Sequence, residues 1–380
     1  MEPRRGKRDE FVVGIDELID RTAANITPGV LRDLFSARNI IAKFRFEHKD
    51  LWDAAHDLIP YVPVLYTNSS IDYQIAYQQG HGGYWQDCSL ILFWDLKPAA
   101  IWPLSISTKD ANTELTSHGL AVLPPLFTQG LATKTVKTLS RQCLQVAESF
   151  SRQAAQVSWH SSQSFGNLFG LSEWHTIAVA GGAIPCLQHE LYLDLSPEMK
   201  TIKGGIRDSF RSLITAGARH WEIGLLTSES PSIWHEFKQL HFDVAGRATR
   251  SAESWDMQLE QVKSGSSFLV YLRKQSGQMV GAGFFSLSRD EGQYGVGAYD
   301  RSLFDKPLGH VVQYRAIQEM KARGIQWYKI GARPFACDSP APTEKEMSIS
   351  DFKQGFASHV FPKFHLLHRV TENPLQKPEN

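Results

Sequence analysis

One order of elements is written twice along this chain of 380 residues, about 180 residues apart, and few folds satisfy that constraint. In the first half, Leu90 to Trp94 and Ala99 to Ile106 are apolar runs around the turn pair Lys97-Pro98. A third run, Leu120 to Leu126, contains Pro124-Pro125. A helical stretch from about Ala132 to Ala155 then leads to Val157-Ser158-Trp159-His160. In the second half, Phe268 to Leu272 and Met279 to Leu287 flank a turn at Gly277, and Tyr294 to Tyr299 follows. A helix over Val311 to Arg323 leads to the strand Trp327 to Ile330. Strand, strand, strand, helix, strand used twice describes a duplicated mixed α/β domain, although the halves share little residue identity. With 42% hydrophobic and 11% aromatic residues, the chain has enough apolar surface for two cores.

Between the halves, His189 to Leu195 (HELYLDL) alternates apolar and polar residues as a half-buried strand does, and Ser196-Pro197 stops it. From Met199 to Arg219 the residues Lys203, Arg207, Arg211 and Arg219 recur at intervals near four, which on one helix puts most of them on one face. The C-terminal stretch has its own grammar. A helix with Val312, Ile317 and Met320 at helical spacing is broken at Gly324, and the strand Trp327 to Ile330 ends on Gly331. After an acidic, proline-broken loop comes Phe352-Lys353-Gln354-Gly355-Phe356, a lysine between aromatics.

This C-terminal layout resembles the FemAB/FemX-type peptidyltransferases, in which a helix ending "AK-x-x-G", a strand "W/Y-Y-x-L/I-G" and an "F-K-x-G-F" segment follow in that order. The strand reading "L-x-L-D-L-S" before a basic helix is similar to the start of that family's second domain. The resemblance covers mainly the second half. It implies an α/β fold of two tandem GNAT-like (acyl-coenzyme A N-acyltransferase type) mixed-sheet domains, packed side by side. On this reading an N-terminal extension covers residues 1–25, the first domain 26–185, the second 186–371 and a tail 372–380, with disorder expected at 1–8 and 372–380. Phe364 to Val370 is expected to be a strand, and the resemblance has the chain end returning to the first domain.

The implied chemistry is attack of an amine on an activated acyl carbon, which needs alignment of two substrates and positive charge where the oxyanion forms. Lys353 matches the family's electrostatic lysine, with Phe352 and Phe356 excluding water around it. The plainer alternative is a surface lysine paired with Asp351. Arg207 and Arg211, with Lys203 beside them, match the region that holds the phosphates of a nucleotide-linked precursor, and the arginine fork suits that contact. A solvated helix face is the competing reading. Asp300, after the strand that ends at Tyr299, is a candidate acceptor of the amine's proton or an ordinary turn residue. Tyr299 and Arg333 complete the expected substrate contacts, Arg333 because it follows a strand's C-terminal end, where α/β folds often bind ligands. A structural ion pair is the alternative for Arg333.

The acyl donor stays open between an acyl-coenzyme A and an aminoacyl-tRNA. The R/Q-x-x-G-x-G/A signature that cradles a pyrophosphate is missing from both candidate places, Phe127 to Ala132 and Tyr299 to Phe304. The chain also lacks a long coiled-coil insertion and has no net charge, with 40 Lys plus Arg against 40 Asp plus Glu. That balance argues against long-range attraction of DNA or an anionic membrane, and favours a small phosphorylated acceptor over a large polyanion. No apolar run approaches a bilayer span and no signal-peptide core follows Met1 to Glu10, so a cytoplasmic location is expected. Cys88, Cys143, Cys186 and Cys337 lack paired spacing and read mostly as buried thiols, and the 14 histidines show no ligand motif, so no metal is expected. The aromatics around His81-Gly82-Gly83-Tyr84-Trp85 read as core at a strand start rather than a stacking platform. The sequence carries no signal for oligomeric state. The resemblance, with which these features are compatible, implies acyl or aminoacyl transfer onto an amino group of a nucleotide-linked cell-surface precursor, either a peptidoglycan precursor or an amino sugar. A coenzyme A-dependent sugar N-acyltransferase and a GNAT-derived scaffold without catalysis are the alternatives.

Overall fold

The computed structural model describes residues 27–109, 112–164 and 172–370. The expected terminal disorder at 1–8 and 372–380 lies outside them. In chain order the first half contains α1 (Gly29–Ser36), β1 (Ile41–Phe44), α2 (Lys49–Asp57), α3 (Asn68–Gln79), β2 (Tyr84–Asp87), β3 (Leu90–Trp94), β4 (Lys97–Trp102), β5 (Ser105–Lys109), β6 (Asn112–Thr116), β7 (Leu126–Phe127), α4 (Thr133–Gln153) and β8 (Ser158–Ser164). There follow α5 (Glu173–Ala180), β9 (Ile184–Asp194), α6 (Met199–Gly205), α7 (Asp208–His220), β10 (Glu222–Leu226), α8 (Pro231–Ala245) and α9 (Ala252–Lys263). The chain then runs through β11 (Ser267–Arg273), β12 (Met279–Leu287), β13 (Glu291–Tyr299), α10 (Leu308–Ala322), β14 (Trp327–Ala332), α11 (Glu344–Gln354) and β15 (His359–Arg369).

The large sheet has the order β10-β11-β12-β13-β14-β9-β15-β8, and the first half adds the sheets β1-β3-β4-β7 and β2-β5-β6. The chain end does return to the first half. β15 pairs antiparallel with β9 on one edge and with β8 on the other, and its Leu366 is buried in the first half's core beside Trp102, Phe150 and Trp159. A second core gathers Phe268, Phe285, Tyr328 and Phe356. β12 is apolar almost without interruption because both of its faces are covered, Val280 and Phe285 facing one core and Ala282 and Phe284 another. Helix α4 keeps Leu139, Cys143, Val146 and Phe150 at helical spacing, all fully buried.

Four local expectations are corrected. The run Ala99 to Ile106 is two strands in different sheets, β4 and β5, divided at Pro103, which has no N–H for a continuing ladder. Of Leu120 to Leu126 only Leu126 lies in a strand, because Pro124 and Pro125 interrupt pairing. The basic segment is two helices: after Gly204-Gly205, poor helix formers, Ile206 turns extended at φ −67° and ψ 141°. Tyr84 is 59% exposed rather than core, since β2 is an edge strand. Of the cysteines, Cys88 and Cys143 are buried as expected. Cys186 and Cys337 are exposed, one near the start of β9 and the other in the loop after β14.

The halves are bolted together by polar contacts. The backbone N–H groups of Val62 and Val64 donate to Asp290 and Glu291 at 2.9 and 3.1 Å, and the Tyr61 hydroxyl donates to Glu291 at 3.0 Å. Ser288 Oγ returns a bond to Val62 O at 2.5 Å, and Arg289 reaches Ile59 O at 2.6 Å. Loop 59–64 of one half is thereby fixed to the β12–β13 hairpin of the other.

Candidate active site

β13 and β14 run parallel but pair only over Glu291↔Trp327, Gly292↔Tyr328 and Gln293↔Lys329. β13 then follows β12 as far as Tyr299↔Gly281, while β14 follows β9 as far as Ala332↔Glu190. The two strands therefore diverge and leave a wedge in the sheet. The wedge begins at Tyr294 on one side and Ile330-Gly331 on the other.

Lys353, on the last turn of α11, reaches into this wedge. Its Nζ lies 5.4 Å from the centroid of the Tyr294 ring. Gly331 has φ +145°, and a Cβ there would come within 2.6 Å of that Nζ, so the approach needs glycine. Burial pushes the Lys353 ammonium below the usual lysine range. Among the described residues no carboxylate pairs with it. Asp351 is taken instead by Arg333, whose Nη2 lies 2.9 Å from its Oδ1, so the Lys353–Asp351 pairing does not form.

The turn carrying Lys353 is held from several directions. Thr343 and Glu346 form a capping box at the start of α11, and Arg333 Nη1 donates to Ser350 Oγ at 2.8 Å. Arg207 donates its backbone N–H to Gly355 O at 2.9 Å and a guanidinium N–H to Asp351 O at 3.1 Å. Phe352 and Phe356 pack on Phe210 at 5.6 and 5.2 Å between ring centroids, which anchors this end of the helix in the second core.

A pocket of about 380 Å³ opens beside the wedge, lined by Lys353, Arg333, Lys363, Glu190, His189 and the loop from Pro334 to Pro342. Lys363 is 3.9 Å from Glu190 and its own pKa is lowered by burial. Glu190 also pairs with Lys329 at 2.9 Å. Burial alone would raise the Glu190 carboxyl, but the two ammonium groups outweigh it and hold it below the usual range. Lys353, Arg333 and Lys363 thus line this pocket together with three carboxylates, each already engaged: Glu190 by Lys329 and Lys363, Asp338 by Phe335 N and Glu346 by Thr343.

The other sequence candidates lie elsewhere. Tyr299 stands behind the wedge, its hydroxyl 3.2 Å from that of Tyr294, with its acidity suppressed by burial. Asp300 accepts from Ser302 N at 3.0 Å and Ser302 Oγ at 2.7 Å, and the Ser302 hydroxyl bond lowers its pKa, which is turn chemistry. Lys203 sits 5.6 Å from the Tyr314 ring centroid. Arg211 folds back on Gly204 O and Ile206 O, at 2.6 and 3.2 Å, and pairs with Asp208. Neither faces the Lys353 pocket. The first turn of α10, the helix that follows the candidate stretch Tyr299 to Phe304, is packed by aromatics: His310 lies 4.5 Å from Phe210 and 5.1 Å from Phe352 between centroids. Burial pushes that imidazole down to about 4, so it is neutral near pH 7. No group of three or more potential metal ligands occurs among the described residues, and none of their helices is long and apolar enough to cross a membrane.

Glu190, Lys363, Lys329 and Glu291 were not singled out from the sequence. Glu190 and Lys329 occupy the polar positions of HELYLDL and WYKIG, a pattern that ordinarily faces solvent. Here the first half covers that face. A charge inside an apolar strand run was the available signal.

The sequence matches no protein-family model and no curated protein. Its fold, however, is that of known structures. FemX superposes with a TM-score of 0.63 at 10% identity, covering 86% of this chain and 96% of its own. The C-terminal domain of a putative lysylphosphatidylglycerol synthetase from Agrobacterium fabrum superposes at 0.56 and 13% identity, covering 85% and 92%. The structure of L-PGS from Bacillus licheniformis superposes at 0.53 and 11% identity, covering 86% and 93%. The chain has a FemX-like, two-domain GNAT-type fold.

Proposed function

We propose that the protein is an acyltransferase, and that it moves an aminoacyl or acyl group onto an amino group of a nucleotide-linked precursor of the cell surface. The observation that carries this reading is Lys353: an ammonium withdrawn from water, without a carboxylate, aimed into the wedge between two diverging strands. Such a group is set to stabilise an oxyanion as the amine attacks the acyl carbon. No side-chain nucleophile is needed. Lys363 supplies further positive charge for an anionic acceptor, while Arg333, engaged by Asp351, Ser350 and Pro334 O, holds the helix end that bears Lys353.

The likeness to FemX and to a protein described as a putative lysylphosphatidylglycerol synthetase supports aminoacyl rather than simple acetyl transfer. The aromatic packing at the start of α10 supports the same choice, because a coenzyme A pyrophosphate would have to displace Phe352 or His310 from that turn. Arg207 is proposed to position the helix end that bears Lys353 rather than to grip phosphate.

Thermal stabilisation by UDP-sugars, CMP-sugars, coenzyme A thioesters and aminoacyl-tRNA tests the reading. Stabilisation by an aminoacyl-tRNA together with a nucleotide-linked acceptor is expected. Stabilisation by thioesters alone would overturn the aminoacyl version and leave a sugar N-acyltransferase.

A further inference from the structure

Helix α8 carries His235, Lys238, Gln239 and Phe242 at i, i+3, i+4 and i+7, which puts them on one face, and all four line a cavity of about 240 Å³. The loop after α8 adds Arg247 and Thr249, and Trp255 of α9 completes the wall. This cavity shares no lining residue with the Lys353 pocket.

Its charge is of one sign. No Asp or Glu lines the cavity, whereas Lys238 and Arg247 do, and neither side chain has an ion-pair or hydrogen-bond partner among the described residues. The two carboxylates of α8 are committed elsewhere: Glu236 holds Arg273 at 2.6 and 2.9 Å, and Asp243 accepts from Gln239 at 2.7 Å. A third cation, Arg250, stands behind the wall. It donates to Thr249 Oγ1 and to His241 Nε2, both at 3.2 Å, and lies over the Tyr77 and Trp255 rings at 5.8 and 5.3 Å, again without a carboxylate. Burial and the Arg250 charge both push the His241 imidazole down, so it is neutral near pH 7. Cations gathered without a counter-charge repel one another, and a bound anion relieves that repulsion.

We infer that this cavity is a second binding site, for the phosphate of a nucleotide, either free or within an RNA strand. Lys238 and the Arg247 fork meet the phosphate oxygens, and the Thr249 hydroxyl, which accepts from Arg250, keeps its own hydrogen to donate. The cavity is smaller than the about 300–1,000 Å³ usual for a whole small-molecule ligand, so it takes the phosphate and leaves the base outside. There the Phe242 ring, 48% exposed, offers a face for the base to stack on. The site does not depend on the acyl-transfer reading.

The test is calorimetric titration of the full chain carrying Lys353→Met and Lys363→Gln, which strips two cations from the other pocket so that the heat reports this site. UMP and inorganic phosphate should bind saturably, and uridine should not. Adding Lys238→Gln with Arg247→Gln should weaken both ligands at least about tenfold, as losing charge-assisted bonds does, without lowering the melting temperature. Phe242→Ala should weaken UMP at least about fivefold, the worth of one stacked base, and leave inorganic phosphate unchanged. A short single-stranded oligouridylate that binds more tightly than UMP, and more weakly as salt rises, assigns the phosphate to an RNA strand; one that binds no better assigns it to a free nucleotide. The inference is overturned if neither UMP nor phosphate binds saturably, or if their affinity survives the loss of Lys238 and Arg247. Unchanged UMP affinity in Phe242→Ala, or equal binding of uridine, would overturn the nucleotide assignment.

Discussion

Lys329 and Lys353 are both lysines withdrawn from water on the second half of the chain, and the protein treats them in opposite ways. Lys329 lies in the seam between the halves with its side chain 12% exposed, and Glu190 meets it at 2.9 Å. Burial alone would lower its pKa, but Glu190 and Glu291 outweigh that and hold it above the ordinary value. Lys353 has only the Tyr294 ring beneath it and no carboxylate, so burial lowers its pKa unopposed. A cation that serves the fold is given its counter-charge by the fold. A cation left without one gains most from a negative charge that arrives with, or develops on, a substrate.

Removing each lysine sharpens this contrast, and the largest effect on stability belongs to Lys329. Lys329→Met leaves the buried Glu190 with only the Lys363 ammonium, 3.9 Å away, and breaking a buried pair typically costs about 3–5 kcal/mol, of which the remaining ammonium should offset part. Chemical denaturation should show that loss, and Glu190→Gln in the same chain should restore part of it. If Lys329→Met were as stable as the parent, the seam would not need its charges and the contrast would fail.

A smaller effect concerns Glu291. Its carboxyl is raised above the ordinary glutamate value by burial, despite the Lys329 ammonium and the bonds from Val64 and Tyr61. The folded state therefore holds its proton to higher pH than the unfolded chain does. Stability from this group is full below the unfolded pKa and falls as pH rises towards the folded one. As pH rises above the ordinary glutamate value the parent should lose stability on this account, and Glu291→Gln should flatten that part of the profile. An identical slope in the variant would show that Glu291 titrates normally.

Much of the second half was legible because its residues obey local rules. The helix over 311–323, the breaker Gly324, the strand from Trp327 and the unbroken apolar run Met279 to Leu287 each carry their signal within a few neighbouring residues. The order of motifs also pointed to Lys353 before any geometry was known. What the sequence hid depends on what covers a face. HELYLDL alternates like a strand with one wet side, yet Glu190 and Tyr192 are buried because the first half packs on that side. The basic stretch 199–219 has helical spacing throughout, but Gly204-Gly205 splits it and sends Lys203, Arg207 and Arg211 to three different partners. Prolines at 103, 124 and 125 did the same to the strands of the first half. The wedge itself arises from two strands parting after three paired residues, which no single segment encodes.

The central claim is that the unpaired Lys353 ammonium stabilises charge that appears only during transfer, and the direct measurement is the single-turnover rate of Lys353→Met with a preformed donor and acceptor. The account predicts a fall of about two to three orders of magnitude, the usual effect of losing one oxyanion donor, with the melting temperature unchanged or raised because a desolvated, unpaired charge has been removed. A rate equal to the parent's, in a variant that is folded and binds both substrates, would contradict it.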